Sequence, residues 1–482
     1  MYRQPSKQKI IIQRAIIYAL MTVSVIGLVV VLAFVMLGYQ FDSSDGKIEQ
    51  GGLVQFDSRP SGATVSIDGT PFGTRTASKT TMKAGSHDIE MRLKGYESWK
   101  KSIAVVPGSV LWLNYARLIP TEKKTSNEAT FNTVTGALSS QDDKKMAIKE
   151  DAAAPSITLV DLTSEDVKPE ALALPETVYT HGATHQFTLD SWDDDGRYLL
   201  IKHIYDTAQE WLVVDTQDVK ASKNMTTLLG IQASKVMFSN NDGMILYAQI
   251  GSDVRKVNLK DTTLSRPLVG NVAEFNLYGD SMVTYTSLPD ADGNRTAGYI
   301  VDGMSAPRVI KTVNDSTSAL RFVVGRYFSE TFEAVSVGDT VEIMRGDLPR
   351  DNGAAISLTR VANFTLAGGV QHLSDHTNGR FIIAQNAARF STYDLELSRS
   401  TVTEIKDASA VPRELGWLDE YTIWSDQGGT LRLYEFDGAN QHELMKIVPG
   451  MTAVLSQNEK YLYAITISDD GQYYLTRLLL TL

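Results

Sequence analysis

Two histidine pairs have a spacing that could bind a metal ion. His181 and His185, and likewise His372 and His376, stand four positions apart, which on a helix places both imidazoles on one face. The surrounding residues are rich in β-forming types and turn signals, so we expect strands and loops, where that spacing has no special geometry. The sequence therefore predicts no metal site at either pair.

An acidic segment has part of the spacing of a calcium-binding loop. Asp290, Asp292 and Asn294 would supply oxygen ligands at positions 1, 3 and 5 of such a loop. Position 6, where the loop requires glycine, is Arg295, and position 12 is Val301 instead of a bidentate glutamate. We predict a polar hairpin tip here instead of a calcium site.

The sequence predicts no catalytic residue and no cofactor. It contains no Gly-x-Ser-x-Gly elbow, no phosphate-binding loop and no His-Glu-x-x-His motif. An enzyme acting on glycans would need carboxylates that converge with histidine or arginine. The one modest cluster of such residues along the chain is His181, His185, Asp193 and His203.

The composition is that of a globular protein with an acidic surface. Of 482 residues, 43% are hydrophobic and 21% are charged, and the net charge of −11 disfavours nucleic acid as a partner. The chain has no cysteine, which excludes disulfides, thiolate metal sites and a cysteine nucleophile. Because secreted eukaryotic proteins commonly carry disulfides, this favours a bacterial exterior.

One uncharged stretch, residues 15–38, is long enough to cross a membrane. As a helix it would rise roughly 36 Å, against a hydrocarbon core of ~30 Å. Four basic residues precede it and acidic residues predominate after it, so residues 1–14 are predicted to be a cytoplasmic tail and the rest to be exported. A cleaved signal peptide is the alternative, but its apolar region is shorter and ends in a small-x-small site that 35–39 lacks. We predict an uncleaved, single-pass anchor in the cytoplasmic membrane.

The segment after the anchor predicts a linker and a small β-sandwich. Residues 39–52 are polar and rich in glycine and serine, as in flexible linkers. From 53 to 120, apolar residues alternate with polar ones, and turn signals such as Asp68-Gly69 separate the alternating runs. This pattern predicts short antiparallel strands that pack into a sandwich.

The same segment resembles the PEGA domain, which is named after a Pro-Glu-Gly-Ala motif. The resemblance rests on the run SRPSGATVSIDG from Ser58 to Gly69 and on the later positions Gly73, Gly85, Gly95, Tyr96 and Trp99. Ser61 stands where the family name has glutamate, at a surface turn position. The resemblance implies an extracytoplasmic adhesive or scaffolding module without chemistry of its own.

Three aromatic residues of this domain are candidate ligand contacts. Tyr96, Trp99 and Trp112 could form an exposed patch that stacks on sugar rings. The alternative is that they fill the core of the sandwich or cover its edge.

The remainder of the chain carries an internal repeat. After a polar linker at 121–128, a tight polar turn followed by a short β-forming run recurs about every 45 residues, the length of a four-stranded propeller blade. The turns lie near residues 143, 195, 242, 280, 325, 378, 419 and 459. Most are followed by a strand that closes on an acidic residue, at Asp161, Asp215, Asp302, Asp394 and Asp437. Residues 129–482 are therefore predicted to form a β-propeller of eight blades, with seven as the alternative.

The last repeat predicts how the propeller closes. It ends near Leu480 in what reads as a third strand, with no fourth strand after it. Because an open sheet edge favours aggregation, we predict that a strand at 129–134 pairs into the last blade. The blade openings at 191–197 and 238–243 resemble those of TolB-like propellers, which implies the fold and says little about a ligand.

These features predict an all-β ectodomain, a small sandwich plus a propeller, behind one N-terminal transmembrane helix. The predicted function is that of a non-catalytic, membrane-anchored extracytoplasmic binding or scaffold protein of the cell envelope. Its propeller would bind a protein or a glycan, with the ligand at the mouth of the central channel. Two alternatives stay open: an envelope sensor or assembly factor in a membrane complex, and a glycan-active enzyme whose site lies in the channel.

Overall fold

The chain divides into two units, residues 1–122 and 123–482, in a computed structural model that describes residues 7–36, 39–41, 48–376, 379–409 and 412–481. Parts of several predictions lie outside the described residues. They include residues 1–6 of the predicted cytoplasmic tail, residues 37–38 at the end of the predicted span, and the predicted turn residue Asn378. The two units are described separately below.

An apolar helix begins the first unit. Helix α1 (Lys7–Met36) contains the stretch Ile11–Phe34, which has a mean hydropathy of 2.7 and exposed side chains. A long apolar helix whose side chains are not buried in a protein core has the composition of a membrane span. The stretch begins four residues earlier than predicted.

The predicted linker contains a short hairpin. Strands β1 (Tyr39–Phe41) and β2 (Ile48–Gln50) pair antiparallel, with Tyr39 opposite Gln50. Six residues of the predicted flexible linker are therefore in strands, and its residues 42–47 lie outside the described residues. Backbone N–H and C=O groups that a linker would leave to water find partners across the hairpin.

The next residues form the predicted β-sandwich. Strand β3 alternates buried and partly buried residues along its whole length, which is the pattern of a strand with one face in a core. One sheet has the order β6-β3-β9 and the other β5-β4-β7-β8. Trp99 of the second sheet meets Tyr115 of the first edge-to-face, with ring centroids 6.0 Å apart. The strands β3–β9 are Gly52–Arg59, Thr64–Ile67, Thr70–Arg75, Ser78–Met82, Gly85–Arg92, Trp99–Val105 and Val110–Arg117.

The second unit is an eight-bladed β-propeller. Among its described residues, eight antiparallel four-stranded sheets follow one another along the chain, and seven of them are simple meanders. The closing strand is β10 (Thr125–Phe131), and blades 1 to 3 contain β11–β22: Gly136–Ser139, Lys145–Lys149, Ser156–Asp161, Pro169–Ala173, His185–Trp192, Tyr198–Tyr205, Ala208–Asp215, Lys223–Asn224, Lys235–Ser239, Asp242–Ile250, Asp253–Asn258 and Thr263–Leu264. Blades 4 to 6 contain β23–β34: Val272–Tyr278, Met282–Ser287, Arg295–Val301, Arg308–Val313, Leu320–Tyr327, Glu330–Val337, Thr340–Arg345, Thr359–Thr365, His372–Asp375, Phe381–Gln385, Arg389–Asp394 and Arg399–Glu404. Blades 7 and 8 contain β35–β41: Gly416–Trp417, Thr422–Ser425, Thr430–Glu435, His442–Lys446, Ala453–Leu455, Tyr461–Ile467 and Tyr473–Leu479. Helix α2 (Met225–Leu229) and two 3₁₀ turns, Val219–Ala221 and Gln427–Gly429, complete the unit.

The eighth blade joins the two ends of the propeller sequence. Its strand order is β10-β41-β40-β39, so the first strand of the unit supplies the outermost strand of the last blade. The predicted closure is confirmed, although the strand lies at 125–131 instead of 129–134. Phe131 also packs in the apolar cluster that joins blades 8 and 1.

Five of the predicted turn positions, near residues 143, 195, 280, 419 and 459, lie between the first and second strands of their blades, and residue 242 begins the second strand of blade 3. Gly325 lies within β27, where it pairs with Phe332, and the turn of blade 5 is at Phe328. Phe328 has φ 53°, a conformation in which a bulky residue is rare, so no glycine marks the turn in the sequence. This single prediction was wrong for that reason.

The first strand of each blade is its innermost strand. β11 contacts β15, β19 contacts β23, β23 contacts β27, and β27 contacts β31, so the first strands of neighbouring blades stand side by side around the channel. Apolar clusters fill the spaces between successive blades. Polar residues on the innermost strands therefore face the channel.

Candidate functional site

The innermost strands of several blades surround a cavity of about 200 Å³ in the propeller channel. Its wall comes from the first strands β19, β23, β27 and β31, from the second strand β24, and from Gln371 and Glu414, which precede β31 and β35. Drug-sized ligands occupy pockets of ~300–1,000 Å³, so this cavity suits a group the size of one sugar ring or one amino-acid side chain. The charged and amide side chains of the wall are Lys235, Glu274, Asn276, Arg321, Gln371, His372 and Glu414.

The two basic residues of the cavity are held by hydrogen bonds from neighbouring blades. Lys235 Nζ donates to the carbonyl oxygen of Phe275 at 2.7 Å and to Asn276 Oδ1 at 3.3 Å. Arg321 Nε donates to the carbonyl oxygen of Gln371 at 3.1 Å. A guanidinium nitrogen of Arg321 also lies 3.4 Å from a carboxylate oxygen of Glu274. Each cation is thus positioned by a strand of the adjacent blade.

Carboxylates surround Lys235. Burial in the channel wall lowers the pKa of Lys235, and the negative charges of Glu274, Asp190 and Glu414 oppose this shift. Asp190 lies on β15 and is exposed. The surrounding protein atoms still desolvate its carboxyl group and raise the pKa of Asp190. A hydrogen bond with Ser191 and the positive charge of Lys235 oppose this rise. The channel mouth therefore presents both signs of charge together with amide donors and acceptors. Such a wall can orient a polar group that both donates and accepts hydrogen bonds.

A second polar feature lies in blade 2, among the histidines that the sequence singled out. His185 Nδ1 is 3.0 Å from His203 Nε2, and His203 Nδ1 is 2.8 Å from Glu210 Oε1. His203 and Glu210 are fully buried. The antiparallel register places Glu210 of β17 opposite His203 of β16. On β15, Phe187 stands opposite His203, and His185 lies two residues before it. The three polar residues thus come from three adjacent strands of the blade.

The carboxylate of Glu210 orients this chain of residues. Burial would raise the pKa of Glu210, but hydrogen bonds from His203, Thr180 and Asn224 outweigh burial and lower it to about 2. An ionised Glu210 can only accept, so His203 donates to it from Nδ1. The Nε2 atom of His203 then shares a hydrogen bond with His185 Nδ1.

Of the other members of the predicted histidine cluster, one lies nearby and one lies apart. His181 packs against Tyr179, with ring centroids 5.1 Å apart, and the ring of Tyr179 also lies 5.9 Å from that of His185 and 5.7 Å from that of His203. Asp193 follows the far end of β15, where its Oδ1 accepts the backbone N–H groups of Arg197 and Tyr198. The sequence analysis missed Glu210, because only the strand register shows which residue stands opposite His203.

The remaining candidate residues have ordinary positions in strands and turns. His372 lies on β31 and lines the cavity, while His376 follows that strand and contacts Trp417 edge-to-face at 4.2 Å. Asp290 begins the turn between β24 and β25, and its Oδ1 accepts the backbone N–H groups of Asp292 and Asn294. The prediction of a polar hairpin tip at 290–294 is confirmed.

The three aromatic candidates of the sandwich do not form one exposed patch. Trp99 is 1% exposed and packs on Tyr115 in the core, so its proposed contact with a ligand was wrong. Tyr96 is half-buried in the loop before β8, where it pairs with Pro120. Trp112 is 50% exposed on the outer face of β9. The period-two alternation of β9 explains the difference, since Leu113 and Tyr115 face the core and Trp112 faces away from it.

Comparison with known proteins identifies one domain. Residues 52–118 match the family model of the PEGA domain, in agreement with the resemblance seen in the sequence. No curated protein matches the chain. Solved structures similar to it include the β-propeller domain of Cps50 (Swd1) from Myceliophteria thermophila, at 12% identity over 75% of this chain and 99% of that one, with a TM-score of 0.40. An oligogalacturonate lyase in complex with manganese is similar at 12% identity over 75% of this chain and 98% of that one, also with a TM-score of 0.40.

Proposed function

We propose that this chain is a non-catalytic binding protein of the cell envelope, anchored by α1 in the cytoplasmic membrane, with the sandwich and the propeller on the outer side. The apolar length of Ile11–Phe34, the preceding basic residues and the PEGA match at 52–118 support this placement. The TolB-like assignment of the propeller belongs to the same proposal.

The observation that carries the proposal is the mixed charge of the cavity at the channel mouth. Lys235, Arg321, Glu274 and Glu414 reach it from four blades, so a ligand would contact several blades at once. A group with both donors and acceptors matches this wall, which fits a hydroxyl-rich sugar or a charged side chain of a partner protein. The propeller would hold such a group and leave it chemically unchanged.

A binding experiment on the whole chain tests the proposal. The full-length protein, reconstituted in nanodiscs, is incubated with solubilised envelope fractions and separately with a glycan array. Arg321→Ala removes a charged donor from the cavity, and we expect a loss of retention of roughly tenfold or more, since hydrogen bonds of charged groups contribute about 1.5–3 kcal/mol.

Arg345→Ala is the matched control. Arg345 also belongs to blade 5 and also pairs with a glutamate, Glu330, at 3.3 Å, but it does not line the cavity. Retention that survives Arg321→Ala, or that falls equally with both variants, would contradict binding at the channel mouth. A retained glycan that returns cleaved would contradict the non-catalytic role.

One observation favours a second candidate, an enzyme. The chain of Glu210, His203 and His185 is an arrangement in which a buried carboxylate orients a partly exposed imidazole through a second, buried imidazole. If the protein cleaves a glycan, we expect Glu210→Gln to lower the rate by a hundredfold or so, the contribution of a positioned general base. Arg345→Ala again serves as the control.

A further inference from the structure

Exposed apolar side chains cluster at one end of the sandwich. The turn between β8 and β9 contains Val106 and Pro107, and β9 begins with Val110 and continues to Trp112. Val106, Val110 and Trp112 are 59%, 51% and 50% exposed. We call residues 106–112 the apolar hairpin, a chain reversal that connects the two sheets of the sandwich, since β8 and β9 belong to different sheets. Clustered large apolar side chains on a surface mark a site of contact with a partner or a membrane.

The outer sheet face continues this apolar surface for a short distance only. In the parallel pairing of β3 and β9, Leu53 stands beside Val110 and Gln55 beside Trp112. These residues share one face because the buried positions alternate with them. Farther along β3 the same face carries Asp57, so the apolar character is concentrated where β3 and β9 begin.

The beginning of β3 is also where the chain enters the sandwich from α1. The N–H of Gly108 donates to the carbonyl oxygen of Gly51, and the N–H of Leu53 donates to that of Ser109, both at 2.9 Å. Gly108 has φ 71°, and a Cβ there would lie 2.8 Å from Gln50 Nε2. The apolar hairpin is therefore packed directly on residues 50–53.

The hairpin of β1 and β2 keeps this end of the sandwich close to the helix. Tyr39 pairs with Gln50, and the ring of Tyr39 lies 5.0 Å from that of Phe34. Three Cα–Cα steps lead from Met36 to Tyr39, a path of at most about 11 Å. The pairing of Tyr39 with Gln50 and the contact of Gln50 with Gly108 add two further short distances to this path. The apolar hairpin therefore lies within roughly 25 Å of the end of α1.

We propose that the apolar hairpin docks into the interfacial layer of the bilayer that α1 spans, with Trp112 at the level of the lipid headgroups. The inference rests on the proposed anchoring by α1. Tryptophan is enriched at membrane interfaces, and partly inserted apolar surfaces reach ~5–10 Å into the headgroup and acyl boundary. Docking places the sandwich against the membrane through two contacts, the helix and the hairpin.

The absence of cysteine makes the test direct, because each introduced cysteine is the only one in the chain. Full-length Val110→Cys, labelled with a nitroxide, is reconstituted in phosphatidylcholine and phosphatidylglycerol liposomes. Collision rates are measured with lipid-soluble oxygen and with a water-soluble nickel complex. We expect the oxygen-to-nickel ratio at residue 110 to exceed by several-fold the ratio at the control position.

Ser61→Cys is the control, exposed at the opposite end of the eight-residue strand β3, roughly 26 Å away. Val25→Cys reports on the span itself. If residue 25 reports lipid while residues 110 and 61 are equally accessible to nickel, the docking of the hairpin is overturned and the anchor stands. If residue 25 is accessible to nickel, the anchor fails, and with it the proposed function.

Discussion

At the scale of single residues, two buried glutamates in the propeller have opposite electrostatic environments. Glu210 accepts hydrogen bonds from His203, Thr180 and Asn224, whereas neither carboxyl oxygen of Glu333 has a hydrogen-bond partner among the described residues. Both side chains are fully buried. Hydrogen bonds stabilise the charged form of a carboxyl group and burial destabilises it, so the pKa values move in opposite directions.

Glu333 is expected to make the propeller less stable in alkali. Burial raises the pKa of Glu333 from 4.5 to about 8, so the folded protein holds a proton that the unfolded chain releases. Stability should fall as the pH rises from about 4.5 to about 8, by up to about 1.4 kcal/mol per pH unit. Urea unfolding at pH 6 and pH 9 measures this loss. Glu333→Gln cannot ionise and should lose less stability across the same range; an equal loss in both proteins would contradict the assignment.

Glu210 is expected to contribute stability that acid removes. Its pKa is lowered to about 2, so the folded carboxylate binds a proton less readily than the unfolded one. The contribution is fully present above pH 4.5 and is lost as the pH falls towards 2, on the order of 3 kcal/mol in total. Unfolding midpoints at pH 6 and pH 3 should differ more in the wild type than in Glu210→Gln. Parallel acid sensitivity in the two proteins would show that Glu210 is not the responsible group.

At the scale of strands and turns, the repeated sequence signals are local hydrogen-bonding devices. The first turn of a blade is closed by a carboxylate or hydroxyl that accepts backbone N–H groups, as Asp193 and Asp419 do. The acidic residue that ends the third strand does the same for the next turn, as in Asp215 and Asp394. The aspartate side chains accept hydrogen bonds from backbone N–H groups in turns, because within strands those groups pair with the neighbouring strand. This is why such residues recur at the ends of strands.

Asp394, one of these turn residues, also forms a buried ion pair with Arg380. Arg380 Nη2 lies 2.7 Å from Asp394 Oδ2, and the two side chains are 11% and 3% exposed. Asp394→Ala leaves a buried guanidinium without this partner, and we expect a loss of about 3–5 kcal/mol in the free energy of unfolding. Chemical denaturation measures the loss.

The matched control breaks an ion pair of similar length on the surface. Lys168 and Asp166 lie 2.9 Å apart with side chains that are 79% and 78% exposed. Asp166→Ala should leave the unfolding midpoint unchanged, because water and salt screen exposed pairs. Equal effects of Asp166→Ala and Asp394→Ala would contradict the argument from burial.

At the scale of the whole molecule, the closing strand β10 makes the first and last blades interdependent. Phe131 at its end is 5% exposed in the cluster that joins blades 8 and 1. Phe131→Ala removes apolar contacts from both blades, and we expect a loss of about 3–5 kcal/mol in unfolding free energy. Phe364→Ala is the control, since Phe364 lies on an outermost strand of blade 5, only partly buried and away from the closure. A larger loss for Phe364→Ala than for Phe131→Ala would contradict the importance of closure.

Local patterns in the sequence determined the apolar span, the sandwich strands, the eight repeats and the closing strand. Alternation of polar and apolar residues and the turn chemistry of Asp and Gly act within a few positions, so they can be read without knowing what the strand packs against. The prediction failed at Gly325, because the turn of blade 5 uses Phe328, and at Trp99, because either face of a strand can be the buried one.

Only the tertiary structure decided which polar residues meet. Lys235, Glu274, Arg321 and Glu414 come from four blades, and ring closure alone places them around one cavity. Strand register likewise places His203 beside Glu210, whereas the predicted cluster contained Asp193 and not Glu210. The physical reason is that contacts across blades depend on the number of strands, their register and the closure of the ring, and no short stretch of sequence contains these quantities.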